Sequence, residues 1–313
     1  MNYTQWYVQN GKFQKHETWI LDNLMLESIM GSHVYGCSKE DSDYDIMGIV
    51  MPKPEHLMPQ NYGFILGFDQ LPRFERKELK GKSKRVEIGK QSVEAEWISL
   101  IEFFVMAGLK GSPNLIEILF TKSNFITVGT KMGHYLRDQR RKFLSMKTYY
   151  SFKGYSASQM HRVRQRNPET LERKEMVEKY GYDLKMVYHI FRLLDNLDQL
   201  LTINDIDLMR NKEESKIIRA GEFGPMEYVE SEYQRRMAKL DDLVVKCNLS
   251  QLPNQPELKM LLQEILEEHF GSLSNFSNAS KVGSEFISCS DVMAELKDLK
   301  EEISKIPKYE KDW

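Results

Sequence analysis

Cysteine is scarce in this chain and scattered: Cys37, Cys247 and Cys289 are the only three in 313 residues. Their spacing matches no metal-ligand pattern and offers no disulfide framework, so a zinc site is not expected and a reducing cytoplasm is. Long apolar runs are missing too. No stretch of 18 apolar residues occurs, so no transmembrane span and no membrane partner are expected. The opening MNYTQWYVQNGKFQKHE lacks the apolar centre of a secretory signal. The Asn-x-Ser triplets at Asn275 and Asn278 are therefore expected to stay unmodified. There is no internal repeat, and low complexity is confined to Gly271–Ser284, whose GSLSNFSNASKVGS has the composition of a linker.

A strong charge of one sign is also absent, since the net charge is −2. That balance hides an asymmetry. From Asp241 onward 14 acidic residues face 8 Lys/Arg, a balance of −6, which leaves +4 for the first 240 residues. The acidic end is a poor surface for nucleic acid, and the remainder is neutral to mildly basic. With 41% hydrophobic and 29% charged residues, the chain has the make-up of a globular protein of about two domains.

What is present centres on Gly31–Gly48, GSHVYGCSKEDSDYDIMG. The run Leu26–Met30 reads as a strand, and Gly31-Ser32 stands where it would hand over to a helix. A glycine there lets backbone N–H groups approach a phosphate closely, and the serine hydroxyl adds a donor. Asp43 and Asp45 precede and enter the β-like run Ile46–Met51, which Pro52-Lys53-Pro54 ends. Residues i and i+2 of a strand share a face, so the two carboxylates stand side by side. Like charges so placed repel, and a divalent cation is the usual way to hold them together. A DxD alone is also compatible with a solvated turn before a strand; the Gly-Ser at this spacing, with a strand pattern following, favours the phosphoryl-transfer reading.

The G-S…D-x-D arrangement resembles the nucleotidyltransferase superfamily typified by DNA polymerase beta. The fuller GSHVYG…SDYDIMG is similar, more narrowly, to RNA-repair-associated RlaP-like proteins of phages and bacteria. Further stretches carry the same resemblance. SVEAEWISLIEFF matches the strand that supplies a third carboxylate and runs into a helix, which puts Glu94 at the carboxylate position. Glu96, on the same strand face, is the substitute. The family more often has Asp there. Gly111–Phe120 matches a further block, as do FKGYSASQMHR with Lys153 and Gln159, the GYDLKMVYHIFRLL helix, and Ile217–Glu222 with Arg219.

Several stretches admit two readings on their residues alone. RFERKELKGKSKR (Arg73–Arg85) carries seven basic and two acidic residues and reads as a solvated hairpin tip or a polyanion contact. Val86–Leu100 contains a strand in which Glu94 and Glu96 are either site carboxylates or solvated. Ser99–Ala107 and Leu115–Phe120 read as helices covering the sheet, the second with Pro113 near its start. Arg137–Arg166 holds nine Lys/Arg, one acid and five aromatics (Phe143, Tyr149, Tyr150, Phe152, Tyr155), which suits a single-stranded nucleic acid or, equally, a helix whose rings are core. In Lys179–Leu201, Lys185, His189 and Arg192 lie along one helical stripe, able to line a triphosphate or to form a polar seam between helices. Lys15–Met25, Met226–Val245 and Glu257–Phe270 read as helices. Val292–Ile306 has the spacing of a helix that docks on this chain or on a partner.

The resemblance, with these readings, implies an α/β nucleotidyltransferase domain with a small mixed sheet (residues 1–136), a helical domain closing the cleft (137–247) and an acidic helical extension (248–313). The resemblance implies transfer of a nucleotide from an NTP, ATP first, to a hydroxyl. Asp43, Asp45 and Glu94 would be the catalytic and metal residues, with two Mg²⁺ or Mn²⁺ ions about 3.5–4 Å apart. Gly31, Ser32, Lys185, His189 and Arg192 would bind the nucleotide, with Glu96, Lys153, Gln159 and Arg219 as weaker members. No Walker A loop or ligase-type lysine motif is present, so direct transfer is expected. The acceptor expected is RNA; a protein or small-molecule acceptor, or nucleotide binding without catalysis, are the alternatives.

Overall fold

The computed structural model describes residues 2–40, 42–63, 65, 76–79, 86–88, 91–167 and 170–271. Most of the basic run at 73–85, Cys289, residues 272–284 and the 292–306 docking helix lie outside the described residues.

The chain opens with α1 (Tyr3–Gln9), capped by the Asn2 side chain, which accepts from the Gln5 N–H. A 3-10 turn at Lys15–Glu17 and the short α2 (Trp19–Asp22) follow. The helix expected across Lys15–Met25 is thus shorter. Asn23 closes it, since its backbone N–H and its side-chain amide both return to the Trp19 carbonyl. Leu24 and Met25 accordingly belong to β1 (Leu24–Ile29). Next come β2 (Tyr44–Val50), α3 (Pro54–Leu57), β3 (Arg76–Leu79), β4 (Val86–Ile88) and β5 (Gln91–Ser99).

Ser99 ends β5 and caps α4 (Leu100–Phe103) by accepting the Glu102 N–H at 3.1 Å, a contact worth about 1 kcal/mol. The helix widens into a π-turn at Phe104–Leu109, and α5 (Pro113–Phe120) begins with its proline where a missing N–H costs nothing. An unexpected edge strand, β6 (Ile126–Gly129), leads into α6 (Lys131–Asp138). The remainder is helical: α7 (Met146–Gln165), α8 (Leu171–Tyr180), α9 (Leu184–Ile203), α10 (Lys212–Ala220), α11 (Met226–Val244) and α12 (Gln255–Phe270).

The strands form a mixed sheet in the order β3-β5-β2-β1-β6, with β4 also on β5. Only β2 and β5 run parallel among the described pairs. The period of two sorts their side chains. Ile46, Val50, Val93, Ala95 and Trp97 face Tyr3, Tyr7 and Phe13 in a small core roofed by α1. Met47, Ile49 and Ile98 face the other way, into a core continuous from the sheet to α12. Glu27, fully buried, pins both ends of this arrangement. Its carboxylate accepts the Tyr3 and Thr4 N–H groups at 2.9 and 2.7 Å and the Thr127 hydroxyl at 2.6 Å.

This is the expected α/β class, a small mixed sheet followed by helices. At the centre of the helical part lies α9, packed by α7, α10 and α11 and mostly buried. Asp183 starts it by accepting the Met186 N–H. No single described helix is long and apolar enough to cross a membrane.

The Arg137–Arg166 stretch does not form one basic, aromatic surface. Phe143, Tyr149 and Phe152 are core, while Tyr150 and Tyr155 are exposed. Arg140 and Arg141 pair with Asp205, Lys142 with Glu257, Lys153 with Asp241 and Arg164 with Glu230. Helical spacing, not base stacking, explains most of the rings, and four carboxylates from later elements pair with five of the nine cations.

Candidate active site

Strand β1 hands over to a run of turns at 31–36 and not to a helix. Gly31 and Gly36 bracket it, both at positive φ (+64° and +66°), a conformation that halts a helix after a single turn. The turns close through Gly36 N–H to the His33 carbonyl (3.0 Å) and Cys37 N–H to the Ser32 carbonyl (3.1 Å). Just before them, Met30 N–H donates to the Asp45 carbonyl at 2.7 Å, which locks the turn beside the acidic strand. A Cβ on Gly31 would lie 1.9 Å from Asp45 Oδ2. The glycine is therefore what makes room for that carboxylate.

The loop that carries the chain on to Asp43 is held from α10. Arg219 donates to the Cys37 carbonyl at 2.9 Å and to the Ser42 hydroxyl at 3.4 Å, and Lys39 Nζ reaches the Arg219 carbonyl. His33 stacks on Tyr44 with ring centroids 4.1 Å apart. Burial lowers its pKa against the opposing pull of backbone hydrogen bonds at Ser42 and Asp43.

Gly31, Ser32, Asp43 and Asp45 form one wall of a cleft of about 550 Å³. Facing them are Arg173 of α8, Lys185, His189 and Arg192 of α9, and Arg219 of α10. The structure thus unites both aspartates, the Gly-Ser turn and the whole α9 stripe. It adds residues that sequence reading missed: Lys39, Ser42, Glu172, Arg173, Met176 and Tyr188. Lys39 sat inside the stretch already singled out. Nothing in the sequence pointed to Arg173, which arrives by the packing of α8.

Asp43 and Asp45 come from the sheet side and Arg173, Lys185, Arg192 and Arg219 from the helices, while Lys39 comes from the loop before Asp43 and Glu172 from α8. Five cationic side chains (Lys39, Arg173, Lys185, Arg192, Arg219) meet Asp43, Asp45 and Glu172 across the same space.

The stripe residues differ in what they can offer. Lys185 is partly exposed and held by Glu172 at 3.0 Å. Arg192 is buried, 3.3 Å from the equally buried Glu117, with its guanidinium 4.5 Å from the Tyr35 ring centre and 5.6 Å from that of Tyr188. Burial works against its charge, but Glu117 and the two tyrosines more than offset this and hold its pKa above the usual arginine value. Its charge is thus already balanced by a partner. Burial also pushes the pKa of His189 well below 6.5, and Arg192, Arg173, Arg219 and Lys185 push it further. The ring is neutral at pH 7, and its Nδ1 is buried without a hydrogen-bond partner.

On β5, Glu94 is level with Asp45 and Glu96 with Met47. Both glutamates follow the alternation that sends Ile98, and not Trp97, to the Asp45 side. Glu96 is 2% exposed, deeper than the cleft. Neither lines the cleft itself. Lys153, paired with Asp241 and over the Tyr149 ring, and the buried Gln159 lie on α7 and do not line it either.

Two aspartates at i and i+2 supply hard oxygen ligands suited to Mg²⁺ or Mn²⁺. The Asp45 carboxylate packs in the space where a side chain at position 31 would stand. The donor set fits such an ion. Among the described residues no group of three or more His, Cys, Asp or Glu side chains converges as a metal site, so the protein side of the fit is the pair.

The family model described as RlaP, RNA repair pathway DNA polymerase beta family, matches residues 8–218. No curated protein matches the chain. Among solved structures, a nucleotidyltransferase-like protein from Exiguobacterium sibiricum 255-15 is similar over 95% of this chain and 86% of its own, at 10% identity. Its TM-score is 0.28, too low for that likeness to carry an argument.

Proposed function

The chain belongs to the RlaP, RNA repair pathway DNA polymerase beta family, and from that premise we propose that it transfers a nucleoside monophosphate from an NTP, ATP first, to a hydroxyl at an RNA end. Membership points to nucleotidyltransferase activity in RNA repair. The metal dependence and the RNA end are our own reading. One observation carries it: a carboxylate pair from the sheet side and a set of cations, most of them from the helices, line a single cleft. A nucleoside triphosphate with its counter-ions has that same distribution of charge.

In this reading Asp43 and Asp45 are the residues that would hold two Mg²⁺ or Mn²⁺ ions. Bound there, such ions would supply Lewis acidity to the transfer. Gly31 and Ser32 seat the triphosphate beside the pair. Lys39, Lys185 and Arg219 neutralise its β and γ oxygens, with Arg173 at the far end. Arg192, already balanced by Glu117, holds Tyr35 and Tyr188 in place and adds its field from behind. The neutral His189 contributes a hydrogen bond and no charge. Glu94, level with Asp45 one strand away, is the carboxylate we assign to the hydroxyl proton, a role that requires its side chain to turn into the cleft it does not line here. The hydroxyl oxygen bonds to the α-phosphorus, the bond to the bridging oxygen breaks, and pyrophosphate leaves.

Asp43→Asn and Asp45→Asn test the reading. Each should abolish transfer while leaving the melting temperature unchanged or slightly raised, because a ligand is lost and like-charge repulsion is relieved. Full turnover in both variants at saturating Mg²⁺ would rule the site out.

A further inference from the structure

A second cavity, of about 540 Å³, lies beyond the cleft, where the end of α7 meets the starts of α8 and α9. It is nearly as large as the cleft itself, and Arg173 lines both. Arg162 on α7 and Arg166, the residue that caps it four positions later, also line it. Both are exposed. Unlike their neighbour Arg164, which is committed to Glu230, neither has a carboxylate within ion-pair distance among the described residues. Arg166 further adopts left-handed backbone (φ +48°) where α7 ends, an uncommon conformation for a side chain without a special local bond. Arg173 is the third cation, held by Asp183 at 3.3 Å. Gln165, Asn167 and Thr170 contribute uncharged polar groups.

We infer that this cavity seats the phosphodiester backbone of the acceptor strand, the nucleotides just before the hydroxyl that reacts. The inference rests on the nucleotidyltransferase reading of the adjoining cleft. Two exposed guanidiniums at i and i+4 suit successive phosphates of a single strand, which guanidinium binds through paired N–H donors. Arg173, shared by both spaces, marks where the strand passes from its own site to the triphosphate. The cavity, and not the whole Arg137–Arg166 stretch, is the nucleic-acid contact. Of the rest of that stretch, Phe143, Tyr149 and Phe152 are core and Arg140, Arg141, Lys142, Lys153 and Arg164 are held in internal ion pairs.

The test compares Arg162→Gln/Arg166→Gln with Lys147→Gln, an exposed lysine at the opposite end of α7. Binding of a short single-stranded RNA is measured by fluorescence anisotropy from 50 to 300 mM KCl, alongside thermal unfolding and calorimetry with a non-hydrolysable NTP. Each lost phosphate contact should flatten the log–log salt slope by about 0.7 and weaken binding about five-fold at 0.1 M salt, hence about 25-fold for the pair. The lysine variant should bind RNA as the parent does. An unchanged slope in the double variant, equal losses in both variants, or no RNA binding by the parent would overturn the assignment. Failure of the cleft reading shows separately, as absent NTP binding in the parent protein.

Discussion

Gly31→Ala isolates the part of the site most tightly specified by geometry. The new Cβ would stand 1.9 Å from Asp45 Oδ2 and 3.0 Å from its Cγ. Carbon–oxygen contacts in real side chains do not fall under 3.0 Å, so the carboxylate must retreat by at least 3.0 − 1.9 = 1.1 Å. A misplacement of about 1 Å in a reacting constellation costs on the order of 100-fold in rate. The backbone adds its own cost, since φ is +64° and a non-glycine residue there loses about 1–2 kcal/mol. Gly11 separates the two effects. It has the same φ of +64°, and nothing lies within 4 Å of its would-be Cβ. Gly11→Ala should therefore lower the melting temperature by a few degrees and leave transfer intact. Gly31→Ala should lower it similarly but reduce kcat by about two orders of magnitude, with the loss persisting at saturating NTP and metal. The assay is steady-state release of pyrophosphate, run beside thermal unfolding of both variants. A Gly31→Ala enzyme with parental kcat would mean that the position of Asp45 does not govern the reaction.

Two further outcomes follow from the buried groups. Glu117→Gln strands the Arg192 charge in the core and should cost about 3–5 kcal/mol, whereas replacing both residues (Glu117→Leu with Arg192→Met) should recover much of that loss in urea unfolding; a double variant as unstable as the single one contradicts the pairing. His189 resists protonation in the folded chain while the unfolded chain takes up its proton near pH 6.5, so stability falls as pH drops below that value. His189→Gln should flatten this acid-side loss by at most about 1.4 kcal/mol per pH unit, and an identical slope in unfolding experiments between pH 5 and 7 would refute it.

The sequence spoke clearly where chemistry and local structure coincide. Gly31-Ser32, Asp43 and Asp45 were legible because a turn glycine and an alternating acidic strand are local signals, and the β1 and β2 strands emerged nearly where expected. The α9 stripe was legible as a helix with three polar residues on one side. What could not be read was which of those residues still has charge to give, because Glu117, which balances Arg192, lies 75 residues earlier. Likewise, Asp205, Glu230, Asp241 and Glu257 drain the charge of Arg137–Arg166 through contacts that only the packed helices create. The short edge strand β6 escaped for a different reason: four residues, three of them half-buried, carry too little alternation to stand out from a loop. The handover from strand to helix at Gly31 was misjudged because Gly36, five residues on, also takes positive φ.

The central claim is transfer of a nucleotide to RNA from the cleft between the sheet and α9. The direct measurement is incubation of the full chain with each α-³²P-labelled NTP, with Mg²⁺ or Mn²⁺, and with a mixture of total RNA and protein. The mixture is then treated separately with ribonuclease and protease. The account predicts label in the ribonuclease-sensitive fraction, strongest with ATP and lost in Asp43→Asn. Label that survives ribonuclease and disappears with protease, or no label with any nucleotide and either metal, would contradict it.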